Sequence, residues 1–180
     1  MHHRRPVDEP ATAQKDNAIA GNSNLYIAPM TTPWQIAGAP VILSRPEFDW
    51  ETRGFSVNEG PSVLHRNGKL FISYSASATD ENYAMGLLWA DDDADLLDSA
   101  AWTKSPAPVF RTSYEGKIYG PGHNSFTTAE DGTTVLLVYH ARTYTEIAGD
   151  PLWNPDRHTF VKTLRWDGAG MPVFGEASDA

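Results

Sequence analysis

Short apolar runs separated by tight-turn residues make up most of the chain from about residue 24 onward. The runs are rich in β-branched and aromatic side chains, as in Leu70–Tyr74 and Val135–Tyr139, and this composition is typical of β-strands. No segment has the 3.6-residue period of a long amphipathic helix. The hydrophobic pattern therefore predicts an all-β protein whose strands are joined by turns.

One hairpin can be placed from its turn alone. Asn67-Gly68 separates the runs Pro61–His65 and Leu70–Ser75. Both turn residues tolerate a positive φ angle, which two-residue hairpin turns require. Gly60-Pro61 stands before this hairpin as a second turn signal, and it places Glu59 at the mouth of the hairpin.

Two patterns recur along the chain. A Gly-Pro pair precedes a strand, a turn and an apolar strand ending in tyrosine at both Gly60 and Gly120. A second repeated unit contains an aromatic residue, then a tryptophan, then a Pro-Val pair. Its three copies are Tyr26, Trp34 and Pro40-Val41; Tyr83, Trp102 and Pro108-Val109; and Phe160, Trp166 and Pro172-Val173. A period of about 60 residues with four short strands per unit is typical of propeller blades. Propellers close with roughly 4–8 blades and this chain supplies about two and a half, so the repeat predicts part of a propeller.

Composition narrows the class of protein further. The 180 residues carry a formal net charge of −9 and no basic patch, which argues against nucleic-acid binding. The absence of cysteine excludes disulfides and thiolate metal sites, and no apolar run reaches the ~20 residues of a membrane helix. Residues 1–21 form a polar arm, and residues 22–180 form the propeller domain. The arm lacks the apolar region of a signal peptide, so the compartment stays unknown, with the cytoplasm as the default expectation.

Glu59 is the leading candidate for chemistry. From Asn58-Glu59-Gly60-Pro61 alone an ordinary turn is favoured, because asparagine, glycine and proline are common turn formers. The alternative is a general acid at the central channel, where partial burial and a nearby carboxylate keep a carboxyl group protonated. The innermost strand of a blade borders that channel, and Glu59 stands at the start of such a strand.

Two further side chains have both a structural and a functional interpretation. His123 follows Gly-Pro-Gly at the corresponding point of the next blade, where it either packs on the turn or organises a ligand or water at the axis. Arg157 is either a solvated loop arginine or a fork that holds a carboxylate or sugar hydroxyls. His140 and Arg142 close another strand, and spacing alone does not place them at the channel.

The acidic run Asp91–Asp95 invites a calcium-loop interpretation, but the match fails. No glycine occupies the sixth position of such a loop, and Trp102 stands at the twelfth position, where glutamate is required. A solvated loop is the better interpretation of this run.

Taken together, these motifs resemble the arabinofuranosidase-like members of glycoside hydrolase family 43. The resemblance covers roughly residues 22–175 in collinear order. Its stretches are Val57–Pro61, Ser73–Asp80, Tyr83–Leu88, Ala101–Pro106, Tyr119–Phe126, Tyr139–Arg142 and Asn154–Thr159. Of these, the run Gly120–Phe126 is specific even by itself.

The resemblance implies a five-bladed β-propeller and an inverting glycosidase with three carboxylic acids. It implies that Glu59 is the general acid and that Asn58 and Arg157 bind substrate. It also implies that His123 helps to hold one calcium ion through waters at the propeller axis, with no organic cofactor. The partner it implies is an arabinose- or xylose-containing oligosaccharide, with neither nucleic acid nor a membrane involved.

The chain departs from the family pattern at its N-terminal end. The general-base aspartate and the aspartate that modulates the acid belong before the strand resembling Asn24–Ala28, yet residues 1–23 reproduce neither motif. The expectation is a C-terminal half, missing an N-terminal half, with little activity by itself and a tendency to self-associate through open blade edges. The alternatives are a non-catalytic arabinoglycan-binding module and an inactive remnant.

Overall fold

The computed structural model describes residues 14–15 and 22–177, which form an all-β structure. Its strands are β1 Gln14–Lys15, β2 Ser23–Ile27, β3 Met30–Thr32, β4 Gln35–Ile36, β5 Val41–Ser44, β6 Asn58–Arg66, β7 Lys69–Ala76, β8 Ala84–Asp91, β9 Thr103–Lys104, β10 Tyr119–Thr128, β11 Val135–Arg142, β12 His158–Thr163, β13 Arg165–Trp166 and β14 Pro172–Val173. The helical elements of this part of the chain are three short 3₁₀ turns, Asp49–Glu51, Ser99–Ala101 and Pro151–Trp153. Within the described residues, therefore, no helix has the length and apolar character that crossing a bilayer requires.

The middle sheet is a complete four-stranded blade. Its strands lie in the order β6-β7-β8-β9, and each neighbouring pair is antiparallel. Asn67 and Gly68 form the turn between β6 and β7 with φ angles of 55° and 70°, so the hairpin prediction is confirmed.

The inner strand of this blade begins earlier than its sequence indicated. β6 starts at Asn58, and Glu59 pairs with Ser75, whereas the next paired residue, Ser62, faces Ser73. Gly60-Pro61 is therefore an irregularity inside the strand and not a turn before it. The reason is that Gly60 adopts a φ of +58°, which bends the backbone, and Pro61 has no N–H to give to the ladder.

The next blade repeats this construction. β10, β11 and β12 form its inner three strands, and β13–β14 form a separate two-stranded outer ribbon. Gly120 has a φ of +59°, and the β10–β11 register shifts on both sides of Gly122. The predicted equivalence of Gly60-Pro61 and Gly120-Pro121 is thus a shared backbone irregularity at the start of each inner strand.

The preceding blade is represented by its outer strands. β2 pairs with β5, and β3 and β4 form a separate hairpin. The segment from Trp34 to Leu43 is therefore split between two sheets. Its first half folds back on Met30–Thr32, and its second half pairs with β2. The predicted arm over residues 1–21 lies outside the described residues apart from β1, which pairs with β2.

The main core lies between the two more complete blades. Phe71, Met85 and Leu87 of the middle blade meet Leu137 and Tyr139 of the next one, and each is at most 3% exposed. Burial of this shared apolar surface drives the blades together. As a result, the N-terminal ends of the inner strands β6 and β10 lie side by side.

Replacement of Gly120 by alanine tests this packing. A Cβ atom there would overlap the carbonyl oxygen of Asp80, and the φ of +59° strains any L-residue. We expect Gly120→Ala to lower the free energy of unfolding by about 2–4 kcal/mol, measured by urea titration. Gly168→Ala is the control, because a Cβ there meets nothing within 4 Å. Equal stability of the two variants would contradict the prediction.

Candidate functional site

Glu59 lies at the start of β6, next to the backbone irregularity, and is partly exposed. The hydroxyl of Tyr83 donates a hydrogen bond of 2.7 Å to Glu59 Oε1. Tyr83 is 1% exposed. Burial raises the pKa of its hydroxyl well above the usual value, and the negative charge of Glu59 raises it further. Tyr83 therefore stays protonated and holds one oxygen of the carboxyl group in place.

His123 meets Glu59 from the neighbouring blade. Its ring packs over the backbone next to Glu59, so that a Cβ atom on Gly60 would lie 3.1 Å from three ring atoms. The backbone N–H of His123 donates to Ser75 Oγ at 2.7 Å, and its Nδ1 lies 3.5 Å from the Tyr83 hydroxyl. The structure thus places His123 beside Glu59, as expected from the repeat, and leaves its imidazole exposed.

A stack of three rings extends this cluster inward. The ring of His140 packs against those of both Tyr83 and His123, with centroid distances of 5.6 Å and 6.3 Å. Within the described part of the chain neither ring nitrogen of His140 has a hydrogen-bond partner. Burial, together with the positive charge of Arg157, lowers the pKa of His140 to about 4. His140 is therefore neutral at neutral pH.

Arg157 approaches the same stack from the loop before β12. Its guanidinium donates to the carbonyl oxygen of Leu152 at 3.2 Å. Its charge also acts on both Tyr83 and His140. The structure therefore brings Arg157 to the cluster around Glu59, as the sequence suggested, and leaves it partly exposed.

The side chain of Arg142, two residues after His140, bonds to loop backbone rather than joining the ring cluster. It is 2% exposed, and its guanidinium donates to the carbonyl oxygens of Thr79 and Pro151 and to Asn154 Oδ1. These bonds attach the loop between β11 and β12 to the end of β11 and to the middle blade. Arg142 therefore has a structural role: its buried guanidinium holds that loop in place.

Asn58 lies beneath the cluster and is 0% exposed. Its Oδ1 accepts from Ser44 Oγ at 2.6 Å, and its Nδ2 donates to Glu51 Oε1 at 3.1 Å and to the Val57 carbonyl oxygen at 3.0 Å. The expected contact of Asn58 with substrate has no geometric support, because the side chain offers no surface to a ligand here. Its bonds instead hold the start of β6, the residue before Glu59.

Glu51, which accepts a hydrogen bond from Asn58, is a residue that no sequence motif marked. In the sequence it is simply an acidic residue close to Phe48 and Trp50. Glu51 is 0% exposed, and its carboxylate accepts hydrogen bonds from Glu47 N, Phe48 N, Asn58 Nδ2, Tyr74 Oη and Lys104 Nζ, all between 2.8 and 3.1 Å. Burial by itself raises the pKa of Glu51, but the hydrogen bonds from Lys104 and the other donors outweigh it. The pKa of Glu51 therefore lies below its usual value, and the carboxylate is charged.

The resemblance to family 43 implied a calcium ion near His123. Calcium takes six to eight oxygen ligands. Within the described residues, no group of three or more His, Asp or Glu side chains could hold a metal ion. These side chains do not by themselves fit a calcium site, and binding through waters on His123 stays a prediction.

Comparison with known proteins places this arrangement in a family. The model of "Glycosyl hydrolases family 43" matches residues 11–172. The chain belongs to this family. Its resemblance to the arabinofuranosidase-like members and its fold as part of a five-bladed propeller are both confirmed.

Several members of the family are close in sequence. The chain is 52% identical over 165 residues to an extracellular exo-alpha-(1->5)-L-arabinofuranosidase of Streptomyces avermitilis, covering 92% of this chain and 34% of that protein. It is 51% identical over 164 residues to alpha-L-arabinofuranosidase 43 of Humicola insolens, covering 91% of this chain and 34% of that protein. The crystal structure of an alpha-L-arabinofuranosidase from Lactobacillus brevis superposes with a TM-score of 0.88 at 61% identity, over 91% of this chain and 50% of that one. This chain therefore spans about a third of these curated family 43 relatives and half of the solved one.

The buried pair of Glu51 and Lys104, 2.8 Å apart, gives a stability prediction for this family 43 chain. Glu51→Gln leaves the lysine without its counter-charge and should lower the free energy of unfolding by about 3–5 kcal/mol. Asp91→Asn removes a partner of the more exposed Lys69 and should cost less than about 1 kcal/mol. Similar urea midpoints for the two variants would contradict a special role of Glu51.

The low pKa of His140, about 4, gives a pH prediction. Below about pH 6.5 the unfolded chain binds a proton at this histidine that the folded chain does not, so stability falls as the pH drops toward 4. Between about pH 7 and pH 5, we expect His140→Phe to remove about 1–2 kcal/mol of that loss, after screening by solvent. The exposed His158→Phe is the control, and an unchanged pH dependence in His140→Phe would refute this assignment.

Proposed function

We propose that the chain supplies the proton donor of a site that hydrolyses arabinofuranosides, with Glu59 as the general acid. The observation that carries this proposal is the short hydrogen bond from Tyr83 to Glu59 Oε1 at the inner end of a family 43 blade. The proposed substrate, an arabinose-containing glycan, follows from relatives at about 50% identity that are named arabinofuranosidases. A xylose-containing glycan is the alternative substrate, because the sequence motifs do not distinguish the two sugars.

The proposed role of Glu59 is to protonate the leaving oxygen as the glycosidic bond breaks. Tyr83 holds Oε1, so the carboxyl group cannot turn freely, and Oε2 is the oxygen that delivers the proton. Such a transfer contributes about 10²–10⁴-fold to the rate when the donor is correctly placed. In an inverting glycosidase a second carboxylate about 6.5–9.5 Å away activates the attacking water.

The surrounding side chains suit the binding of a neutral, hydroxyl-rich ligand. Arg157 presents a fork of donors that can bind sugar hydroxyls, and His123 presents an exposed imidazole. His140 is neutral and adds no competing charge behind them. We assign substrate binding to Arg157, and we assign the orientation of a bound ligand or its waters to His123.

We also propose that the chain lacks the general base. Among the described residues, Glu59 is the carboxylate whose charge acts on Tyr83, whereas the charges of Asp80 and Asp156 act on Arg142. Neither Asp8 nor Asp16, the aspartates of the first 23 residues, stands before a strand-like run. Water attack would then be slow, and the chain by itself would turn over little substrate.

Chemical rescue separates the two parts of this proposal. Azide attacks without losing a proton, so it needs no general base. We expect the purified chain to cleave an aryl arabinofuranoside with a poor leaving group only weakly, and azide to raise that rate by at least about tenfold. Glu59→Gln should abolish the rescued rate, whereas Glu130→Gln, in the exposed turn between β10 and β11, should keep it.

Each other outcome has a definite meaning. Fast turnover without azide that Glu59→Gln abolishes would keep Glu59 as the acid and contradict the missing base. Rescue that survives Glu59→Gln would contradict its role as the acid. Binding of arabino-oligosaccharides by calorimetry with no turnover under either condition would favour a non-catalytic arabinoglycan-binding module.

A further inference from the structure

Asn67 and Gly68, the two residues of the turn between β6 and β7, form the one Asn-Gly pair in the 180-residue sequence. Both are exposed, and their φ angles are 55° and 70°. Asparagine before glycine is the least hindered setting for attack of a backbone nitrogen on a side-chain amide, because glycine has no Cβ beside that nitrogen. The turn therefore combines a reactive sequence with access to water.

The side chain of Asn67 also makes a contact with the next blade. Its Nδ2 donates a hydrogen bond of 3.1 Å to the carbonyl oxygen of Gly170, in the turn between β13 and β14. Gly170 has a φ of +78°, and a Cβ atom there would lie 3.1 Å from Asn67 Nδ2 and 3.2 Å from Asn67 Cβ. The hydrogen bond thus depends on close approach to a glycine 103 residues away.

Neighbouring side chains join the same two parts of the structure. The guanidinium of Arg66 lies 4.8 Å from the ring centroid of Trp166, and it donates to the carbonyl oxygen of Thr133 at 3.5 Å. The Trp166 ring in turn packs against Phe71 of β7 at 5.8 Å. Asn67 therefore belongs to a contact between two blades, at the opposite end of β6 from Glu59.

We propose that Asn67 is a deamidation site whose rate is set by its hydrogen bond to Gly170. The backbone nitrogen of Gly68 attacks Cγ of Asn67, and a C–N bond forms as the bond from Cγ to Nδ2 breaks. Nδ2 leaves as ammonia and takes up the proton that the Gly68 nitrogen loses. Water then opens the five-membered imide at either carbonyl, which gives aspartate or isoaspartate. The net reaction consumes one water and releases one ammonia.

The hydrogen bond opposes this reaction because it fixes the leaving group. Asn67 Nδ2 gives up its bond to the Gly170 carbonyl oxygen before the amide turns toward the Gly68 nitrogen. The product cannot restore the bond, since a carboxylate has no N–H to donate. Isoaspartate also adds one carbon to the backbone of a turn that needs a positive φ at two consecutive residues. Deamidation therefore detaches this turn from the next blade.

Peptide mapping by mass spectrometry of the chain held at mildly alkaline pH tests the rate, through the replacement of –NH₂ by –OH at residue 67. We expect the folded chain to react about fivefold more slowly than the chain unfolded in guanidinium chloride, because the bond must open first. Folded Gly170→Ala should approach the unfolded rate. Gly168→Ala, in the same turn, and Gly132→Ala, in another turn at φ +71°, are the controls and should keep the parent rate, because a Cβ at either position meets nothing within 4 Å.

A second variant covers the case in which Gly170→Ala does not fold. Arg66→Ala removes the neighbouring contact with Trp166 and leaves Asn67-Gly68 unchanged, so it should also speed the reaction. The deamidated fraction, separated by its extra negative charge on an ion exchanger, should unfold at a urea midpoint about 0.5 M lower than the parent.

Three results would overturn the inference. Asn67 that survives in both the folded and the unfolded chain would not be a deamidation site. Equal rates in the two states, or folded variants at Gly170 and Arg66 that react no faster than the parent, would contradict control by the hydrogen bond. A deamidated fraction with the parent's urea midpoint would contradict detachment of the turn. Each readout is independent of sugar binding and turnover, so the proposed function at Glu59 stands or falls separately.

Discussion

The carboxylate of Glu51 is the interaction on which the geometry around Glu59 depends. It is fully buried, it is charged, and it accepts hydrogen bonds from the β5–β6 loop, from Tyr74 of β7, from Lys104 of β9 and from Asn58 at the start of β6. A buried charge is costly unless every lone pair is matched, so these groups have little freedom to move apart. The residue next to this network is Glu59, and its backbone position follows from the network beneath it.

Close approach of the backbone at two glycines then brings the blade of β10–β12 next to Glu59. Gly60 has no side chain, which lets the ring of His123 lie against it, and Gly122 leaves room for the ring of Tyr83. A Cβ on Gly122 would collide with the Tyr83 ring, and a Cβ on Gly60 would press against the His123 ring at 3.1 Å. The irregular starts of β6 and β10 are therefore what allow a carboxyl group, a phenol and two imidazoles from different blades to meet.

Burial fixes the protonation state of two side chains in the cluster around Glu59. It keeps Tyr83 protonated and His140 neutral. A phenol that only donates and an imidazole that stays uncharged orient their neighbours without competing for a proton. This division suits a carboxyl group whose proposed task is to give up a proton, with a cation nearby that binds neutral hydroxyls.

The sequence by itself determined the fold class, the repeat and the family, because turn chemistry and strand periodicity are local and because the motif around Gly120–Phe126 is specific. It also pointed to Glu59, His123 and Arg157, which the repeat and the family motifs mark. Only the tertiary structure decided that Asn58 is buried, that Gly60-Pro61 lies inside a strand, and that Tyr83, His140 and Glu51 support the site. Those roles depend on contacts between residues far apart in the chain, and no local pattern encodes which side of a strand ends up facing another blade.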